Sequence, residues 1–292
     1  MNVQEQYVDD RMALYHGDSC EILQGIPSDS IHFEIYSPPF ASLYTYSNSE
    51  RDLGNCKSRG EFFEQFRFIV RELYRVLMPG RLMSVHCMNL PTSKERDGFI
   101  GIDDFRGDLI RLFQEAGFIY HSEVCIWKDP VIAMQRTKAL GLLHKQIKKD
   151  SAMCRQGIPD YLVTMRKPGD NPERVTHTGE TFPVQVWQKY ASPIWTDINP
   201  SDTLQRESAR EEKDEKHICP LQLTVIRRAI SLWTNPGDIV LSPFGGIGSE
   251  PYVALENGRK AVAIELKGSY YRQMVANCKS VTAAEQCQIV GW

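Results

Sequence analysis

The chain lacks any apolar run near the roughly 20 residues that a membrane-spanning helix needs, and this argues against a membrane partner. Its opening residues, MNVQEQYVDDRMALYHG, lack the basic-then-apolar order of a secretory signal, so a cytoplasmic setting is the expectation. No C-x-x-C pair occurs among its eight cysteines (Cys20, Cys56, Cys87, Cys125, Cys154, Cys219, Cys278, Cys287), and no spacing suggests a zinc site or a disulfide framework. The seven histidines are equally dispersed, so no metal is expected. Net charge is also scarce, −3 over 292 residues, which argues against a protein that coats nucleic acid unselectively, although an average can hide a local basic surface. Internal repeats, low-complexity tracts and a G-x-G-x-x-G fingerprint are absent too.

What is present is a core-forming chain, 42% hydrophobic, with alternating strand and helix patterns. Ile31 to Tyr36 reads as a buried strand ending at a double proline. Residues 61 to 78 carry Phe62, Phe66, Ile69, Val70, Leu73 and Leu77 at helical spacing and stop at Pro79-Gly80. Arg81 to Met88 reads as a strand, Phe105 to Ala116 as a helix stopped by Gly117, Phe118 to Trp127 as a strand, 133 to 150 as one basic helix, and Asp160 to Met165 as a strand. From Gly169 to about Gln205 periodicity fades, and this stretch reads as an insert outside the core. A helix from Pro220 to Thr234 follows. Then come a strand at Ile239 to Leu241, a glycine turn, a helix from Glu250 to Asn257, a strand from Ala261 to Glu265 and a helix from Tyr270. This last strand-turn-helix-strand unit predicts parallel strands joined by a right-handed crossover.

The glycine turn, Ser242-Pro243-Phe244-Gly245-Gly246-Ile247-Gly248-Ser249, lies where missing Cβ atoms let backbone amides approach a ligand. Glu265, 17 residues beyond Gly248, closes the next strand at a spacing suited to accepting hydrogen bonds from both hydroxyls of a ribose. A purely structural tight turn fits the same residues. Glu250 and Pro251 at the helix start disfavour a pyrophosphate, so a nucleoside cofactor without phosphates fits better.

Ser37-Pro38-Pro39-Phe40 follows the first strand. An exocyclic amine of adenine or cytosine is a poor nucleophile until it pyramidalises, and acceptors aimed at its N–H groups favour that change. The Ser37 oxygen and a carbonyl held by Pro38 suit this task, with the Phe40 ring stacking on the base. By itself the tetrapeptide fits an ordinary proline turn equally well. Paired with the glycine turn, it resembles the [DNS]-P-P-[YF] signature of the DNA amino-methyltransferases, whose cofactor loop is written D-P-F-x-G-x-G-[ST]. The catalytic motif comes first here, as in the permuted β group, and the compact chain is similar to its phage and prophage members. Leu14-Tyr15-His16-Gly17-Asp18, Ile26-Pro27-Ser28-Asp29-Ser30-Ile31 and Lys216-His217-Ile218-Cys219-Pro220 resemble further family segments.

The resemblance implies a Rossmann-like α/β fold: a seven-stranded mixed sheet with one antiparallel strand, helices on both faces and a small irregular target-recognition insert. It forms one methyltransferase domain, 1–168 being the catalytic half, 169–205 the insert and 206–292 the cofactor half. The implied cofactor is S-adenosyl-L-methionine, with Asp18 near its adenine, Glu265 on its ribose, His217 and Pro220 near its methionine portion, and Phe244, Gly245, Gly246, Gly248 and Ser249 forming the loop. Ser242 stands where the family usually has Asp, and Glu250 where Thr is common. The implied partner is DNA with its target base flipped out. A homodimer is implied as well.

Tyr44 and Tyr46 would close over that base, although a surface loop with chance tyrosines fits them too. Residues 128 to 174 hold ten basic side chains against five acidic ones. Of these, Arg136, Lys138, Lys145, Lys148, Lys149 and Arg155 are the candidate phosphate contacts, with a solvated helix face as the alternative. The short insert predicts a short or relaxed recognition sequence. Adenine N6 is the favoured target and cytosine N4 the alternative. An RNA or protein-amide methyltransferase and a non-catalytic nucleic-acid-binding module are the remoter readings.

Overall fold

The computed structural model describes residues 2–39, 53, 56, 58–137, 140–205 and 220–290. Among these, the strands are β1 Glu5–Val8, β2 Met12–His16, β3 Ile31–Tyr36, β4 Leu77–Met88, β5 Leu90–Pro91, β6 Ile102–Asp103, β7 Ile119–Ile126, β8 Asp160–Arg166, β9 Ile194–Trp195, β10 Ile239–Ser242 and β11 Lys260–Glu265. The helices are α1 Ser19–Ile22, α2 Arg59–Val76, α3 Lys94–Asp97, α4 Phe105–Glu115, α5 Pro130–Thr137, α6 His144–Lys149, α7 Val184–Tyr190, α8 Leu223–Trp233, α9 Ser249–Glu256 and α10 Gly268–Val290. Nine strands form one sheet in the order β1-β2-β11-β10-β3-β4-β8-β7-β9, and β5 pairs with β6 apart from it. From β2 to β7 this sheet contains the expected seven strands, with β8 antiparallel to both its neighbours. Two edge strands are additional: β1, antiparallel to β2, and the two-residue β9, parallel to β7.

Central strands apolar on both sides bury both faces of the sheet. Toward one face Tyr36 and Val85 pack against Phe62 and Phe66 of α2 and Phe105 and Phe113 of α4. Toward the other Phe33, Ile35 and Val240 meet Val225 and Ile226 of α8, Val253 of α9 and Met274 of α10. Helix α2 starts at an N-cap serine, the Ser58 hydroxyl accepting from the Glu61 amide at 3.2 Å. It ends at Val76, and Leu77 is already extended at φ −66°, ψ 135°. Pro79 follows closely, and a proline pushes the residue before it toward extended backbone, so Leu77 and Met78 join β4 instead of finishing the helix.

Two expectations need correction. Residues 133 to 150 do not form one helix: α5 ends at Thr137, a 3₁₀ turn spans Leu140–Leu142, and α6 begins at His144. The Gly141 carbonyl accepts the Arg155 amide at 3.0 Å instead of a bond from the next helical turn. The stretch read as lying outside the core also supplies α7 and β9. Trp195 of β9 is 1% exposed, and the Arg228 guanidinium of α8 lies 5.0 Å from its ring and 5.3 Å from that of Tyr190. At the amino-terminal edge of the strands a buried arginine knots the sheet together. Arg81 donates to the carbonyls of His32 (2.7 Å) and Glu173 (2.6 Å) and to the Asp238 carboxylate.

Strand order fixes where a ligand belongs. From β3 the chain crosses over α2 to β4 on one side, while from β10 it crosses over α9 to β11 on the other. Strands β3 and β10 are neighbours, Val240 opposite Phe33 and Leu241 opposite Glu34, so the switch point lies between them. A crevice opens at the carboxyl ends of strands that diverge in this way.

Candidate active site

Both motifs flank that crevice. Ser37, Pro38 and Pro39 leave β3, and the glycine turn leaves β10. The Tyr36 and Phe244 rings meet edge to face with centroids 5.8 Å apart, and Phe244 also packs 6.1 Å from Phe66. Phe244 therefore joins the two motifs through the core.

The glycines have separable roles. Gly248 has φ +94° as the N-cap of α9, and a Cβ there would lie 2.9 Å from Met274 Cγ. At Gly245 a Cβ would come 2.6 Å from Met274 Sδ. Helix α10 thus requires both. Gly246, at φ +52°, has no heavy atom of the described residues within 4 Å of that position, so among them the turn is open on this side. The Gly246 amide donates to Glu265 Oε2 at 2.7 Å, and the Lys267 amide donates to Oε1 at 2.8 Å. Glu265 therefore braces the turn.

Asp18 caps α1, accepting the Cys20 amide at 2.8 Å. The Gly17 amide donates to the Glu265 carbonyl at 2.9 Å, which brings Asp18 to the same strand edge. Ser249 and Glu250 are buried. Burial pushes the Glu250 carboxyl up to about 8, against a backbone hydrogen bond that lowers it and with help from the Glu265 charge. The Ser242 hydroxyl is buried and has no hydrogen-bond partner among the described residues. Pro220 is half-buried at the approach to α8.

At the Ser37-Pro38-Pro39 turn the structure adds three residues that the motifs did not contain. Ser37 Oγ lies 3.0 Å from His86 Nδ1. His86 Nε2 lies 3.3 Å from Asp160 Oδ2. Asp160 Oδ1 accepts from Lys128 Nζ at 2.5 Å. The row runs from the end of β3 across β4 and β8 to the residues after β7. Burial works to raise the Asp160 pKa, but the facing His86 and Lys128 outweigh it and hold the carboxyl below its ordinary value. Strand alternation places a residue on one face or the other, yet only the sheet register, which sets Met88 opposite Asp160 and Leu162 opposite His86, brings these side chains together.

The predicted basic surface divides. Lys145, Lys148 and Lys149 are exposed on α6, whereas Arg155 is half-buried and donates to the Gln156 carbonyl at 3.1 Å. Two lysines counted in that segment face inward: Lys128 on Asp160, and Lys167 on Asp29 and the carbonyls of Arg75 and Leu77. Arg136 is placed only by its position in α5. Phe40, Tyr44, Tyr46, Lys138 and His217 lie outside the described residues.

One trio among the described residues, His32, Glu173 and Asp238, clusters metal-type ligand atoms. His32 Nδ1 accepts the Ile239 amide at 3.1 Å, so its proton sits on Nε2, which faces Glu173 at 3.0 Å. Both ring nitrogens are occupied by hydrogen bonds, and the trio lies at the opposite edge from the motifs.

Comparison with known proteins matches residues 31–276 to the N6/N4 family model described as DNA methylase. The DNA adenine methyltransferase YhdJ of Escherichia coli (strain K12) is 24% identical over 89% of this chain and 80% of its own length. M.BamHI of Bacillus amyloliquefaciens, a type II methyltransferase, is also 24% identical, over 87% of this chain, which spans about half (54%) of that relative. Among solved structures, TTHA0409 of Thermus thermophilus, complexed with S-adenosyl-L-methionine, superposes with a TM-score of 0.70 at 20% identity, covering 93% of each chain. The cytosine-N4-specific PvuII DNA methyltransferase superposes at 0.66 with 18% identity, covering 100% of this chain and 98% of its own. Among the described residues no helix is long and apolar enough to cross a membrane.

Proposed function

Because the chain belongs to the N6/N4 DNA methylase family, we propose that it transfers a methyl group from S-adenosylmethionine to an exocyclic amine of a base in DNA. The observation that carries this reading is the meeting of the two motifs at the switch point, through the pairing of β3 with β10 and the contact of Tyr36 with Phe244. Catalytic motif before cofactor motif supports the permuted arrangement.

The residues at the glycine turn fit the cofactor. Open space beside Gly246, the Glu265 carboxylate bracing it and the unpartnered Ser242 hydroxyl suit a cationic nucleoside that carries no phosphate. Glu265 would take its ribose hydroxyls, with Asp18 beside the same strand end and Gly245 to Ser249 forming the cradle. When bound, the cofactor supplies an electrophilic methyl group. The protein's part is to hold the amine in line with that group: Ser37 Oγ and a main-chain carbonyl at Pro38 accept the amine's N–H bonds and favour its pyramidal form.

A flipped base is the form in which a duplex exposes its amine. Exposed lysines on α6 would pair with phosphates. Adenine N6 is the preferred target, consistent with the likeness to YhdJ. Cytosine N4 is the second reading, favoured by the serine that opens the motif and by the likeness to PvuII methyltransferase.

The test is incubation with unmethylated DNA and S-adenosylmethionine followed by nucleoside mass spectrometry. N6-methyladenine or N4-methylcytosine is the expected product and names the base. Product on DNA alone, with none on RNA or protein, distinguishes the reading from its rivals. The absence of a thermal shift with the cofactor would overturn it.

A further inference from the structure

We propose that Ser37, His86 and Asp160 form a relay that carries away the surplus proton of the methylated amine, with Lys128 holding Asp160 in place. The proposal rests on the amino-methyltransferase reading above. A neutral amine needs no base in order to attack, but attack leaves it with one proton too many. As the new C–N bond forms, the S–CH₃ bond breaks with its electron pair staying on sulfur. The positive charge then resides on an amine nitrogen that still carries both of its hydrogens. That nitrogen is acidic, and one N–H bond must break toward an acceptor.

Ser37 Oγ is the motif's own acceptor for an amine N–H, and it lies 3.0 Å from His86 Nδ1. With Nδ1 as acceptor, the serine hydroxyl points its proton at the imidazole and presents its lone pairs to the crevice. As the amine's proton passes to Ser37 Oγ, the serine's own proton passes to His86 Nδ1. The serine ends as a neutral hydroxyl, the product amine is neutral, and His86 holds the positive charge. The Asp160 carboxylate, 3.3 Å from Nε2, faces that charge. Lys128 occupies the other carboxylate oxygen and keeps Asp160 ionised, so the proton stops on His86 and leaves from there to solvent.

The surroundings of His86 favour a relay. Its Nε2 is buried and faces the Asp160 carboxylate at 3.3 Å. The neighbouring charges are also arranged for it. Arg106 and Glu123, paired at 2.7 Å, and Cys87 belong to the α4 face of the sheet, so Asp160 and Lys128 are the charged side chains facing His86 among the described residues.

The experiment compares wild type, His86→Asn and His86→Ala in single-turnover methylation of duplex DNA from about pH 5.5 to about pH 9, with cofactor and DNA affinities measured alongside. Asparagine preserves a side-chain contact with Ser37 but does not accept the proton. The expected result is a fall in the chemical step of about 10²-fold or more, loss of the acidic limb of the wild-type pH profile, near-unchanged affinities, and partial rescue of His86→Ala by added imidazole. Asp160→Asn is expected to fall in the same direction while keeping an acidic limb. Wild-type rate and pH profile in both His86 variants, with methylated base still formed, would overturn the relay and leave the methyltransferase reading standing. No methylated base from the wild type would overturn both.

Discussion

The two edges of the central sheet use the same kinds of residue to opposite ends. At the amino-terminal edge His32, Asp238 and Arg81 combine a histidine, a carboxylate and a cation. Every arm of Arg81 is anchored on the His32 or Glu173 carbonyl or on Asp238, and His32 is satisfied at both nitrogens. At the carboxyl-terminal edge His86, Asp160 and Lys128 repeat the set, but the row ends on a serine hydroxyl at the crevice. Composition does not separate a structural knot from a reactive row. Strand polarity and hydrogen-bond saturation do, because a saturated cluster has no lone pair or proton left for a ligand.

The largest effect should come from breaking the saturated edge. Arg81→Met leaves Asp238 buried beside carbonyls that have lost their donor, and stability should fall by about 3–5 kcal/mol, read from urea unfolding. Protein that remains folded at low temperature should keep its cofactor affinity. A loss of affinity without a loss of stability would mean that the two edges are not independent.

The converse change is Ser37→Ala. The rate of the chemical step should fall by about 10²–10³-fold, while the unfolding midpoint moves by no more than the loss of one ordinary hydrogen bond, about 1 kcal/mol. A variant that unfolds instead would make the carboxyl-terminal row a structural knot like the other.

Between the edges lies a carboxyl that belongs to neither. Glu34 of β3 is fully buried, and neither of its oxygens has a hydrogen-bond partner among the described residues. Burial pushes its pKa well above the ordinary value, only partly offset by Lys167. The folded state therefore holds a proton that the unfolded chain releases, and stability falls as pH rises above the ordinary carboxylate range. Glu250, pushed up to about 8, adds to the same trend up to that pH. Glu34→Leu should raise stability by about 1–3 kcal/mol at neutral pH. The gain should widen between about pH 5 and pH 9 in thermal melts. A gain that is flat with pH would mean that Glu34 is already ionised in the fold.

How legible the molecule was from its sequence follows the same division. Strand β3, helix α2 and the β10–α9–β11 unit were readable because apolar periodicity, a capping serine and turn glycines all act locally. The break at Gly141 was hidden, since its carbonyl is taken by Arg155, fourteen residues onward. Strand β9 was hidden because two residues carry no period, although Trp195 is among the largest fully buried side chains. In the site, Ser37 and the glycine turn were legible as motifs. His86 and Asp160 were not, because their meeting depends on the β4–β8 register, which no local pattern encodes. The basic stretch was legible in charge but not in direction, since Lys128 and Lys167 turn inward.

That last distinction gives the smallest effect. The exposed lysines of α6 make no structural contact of the kind that Lys167 makes, so Lys148→Ala and Lys149→Ala should leave stability within about 0.5 kcal/mol. Each should weaken DNA binding to a similar degree on every sequence and lower the slope of log affinity against log salt by about 1, measured by titration at several salt concentrations. Lys167→Ala should do the reverse. It loses the bonds to Asp29 and to the Arg75 and Leu77 carbonyls that close the end of α2, and so it should destabilise the fold while leaving the salt slope unchanged. Equal salt slopes for the Lys148 variant and the wild type would move the phosphate-binding surface off α6 and weaken the reading of the basic segment as a DNA contact.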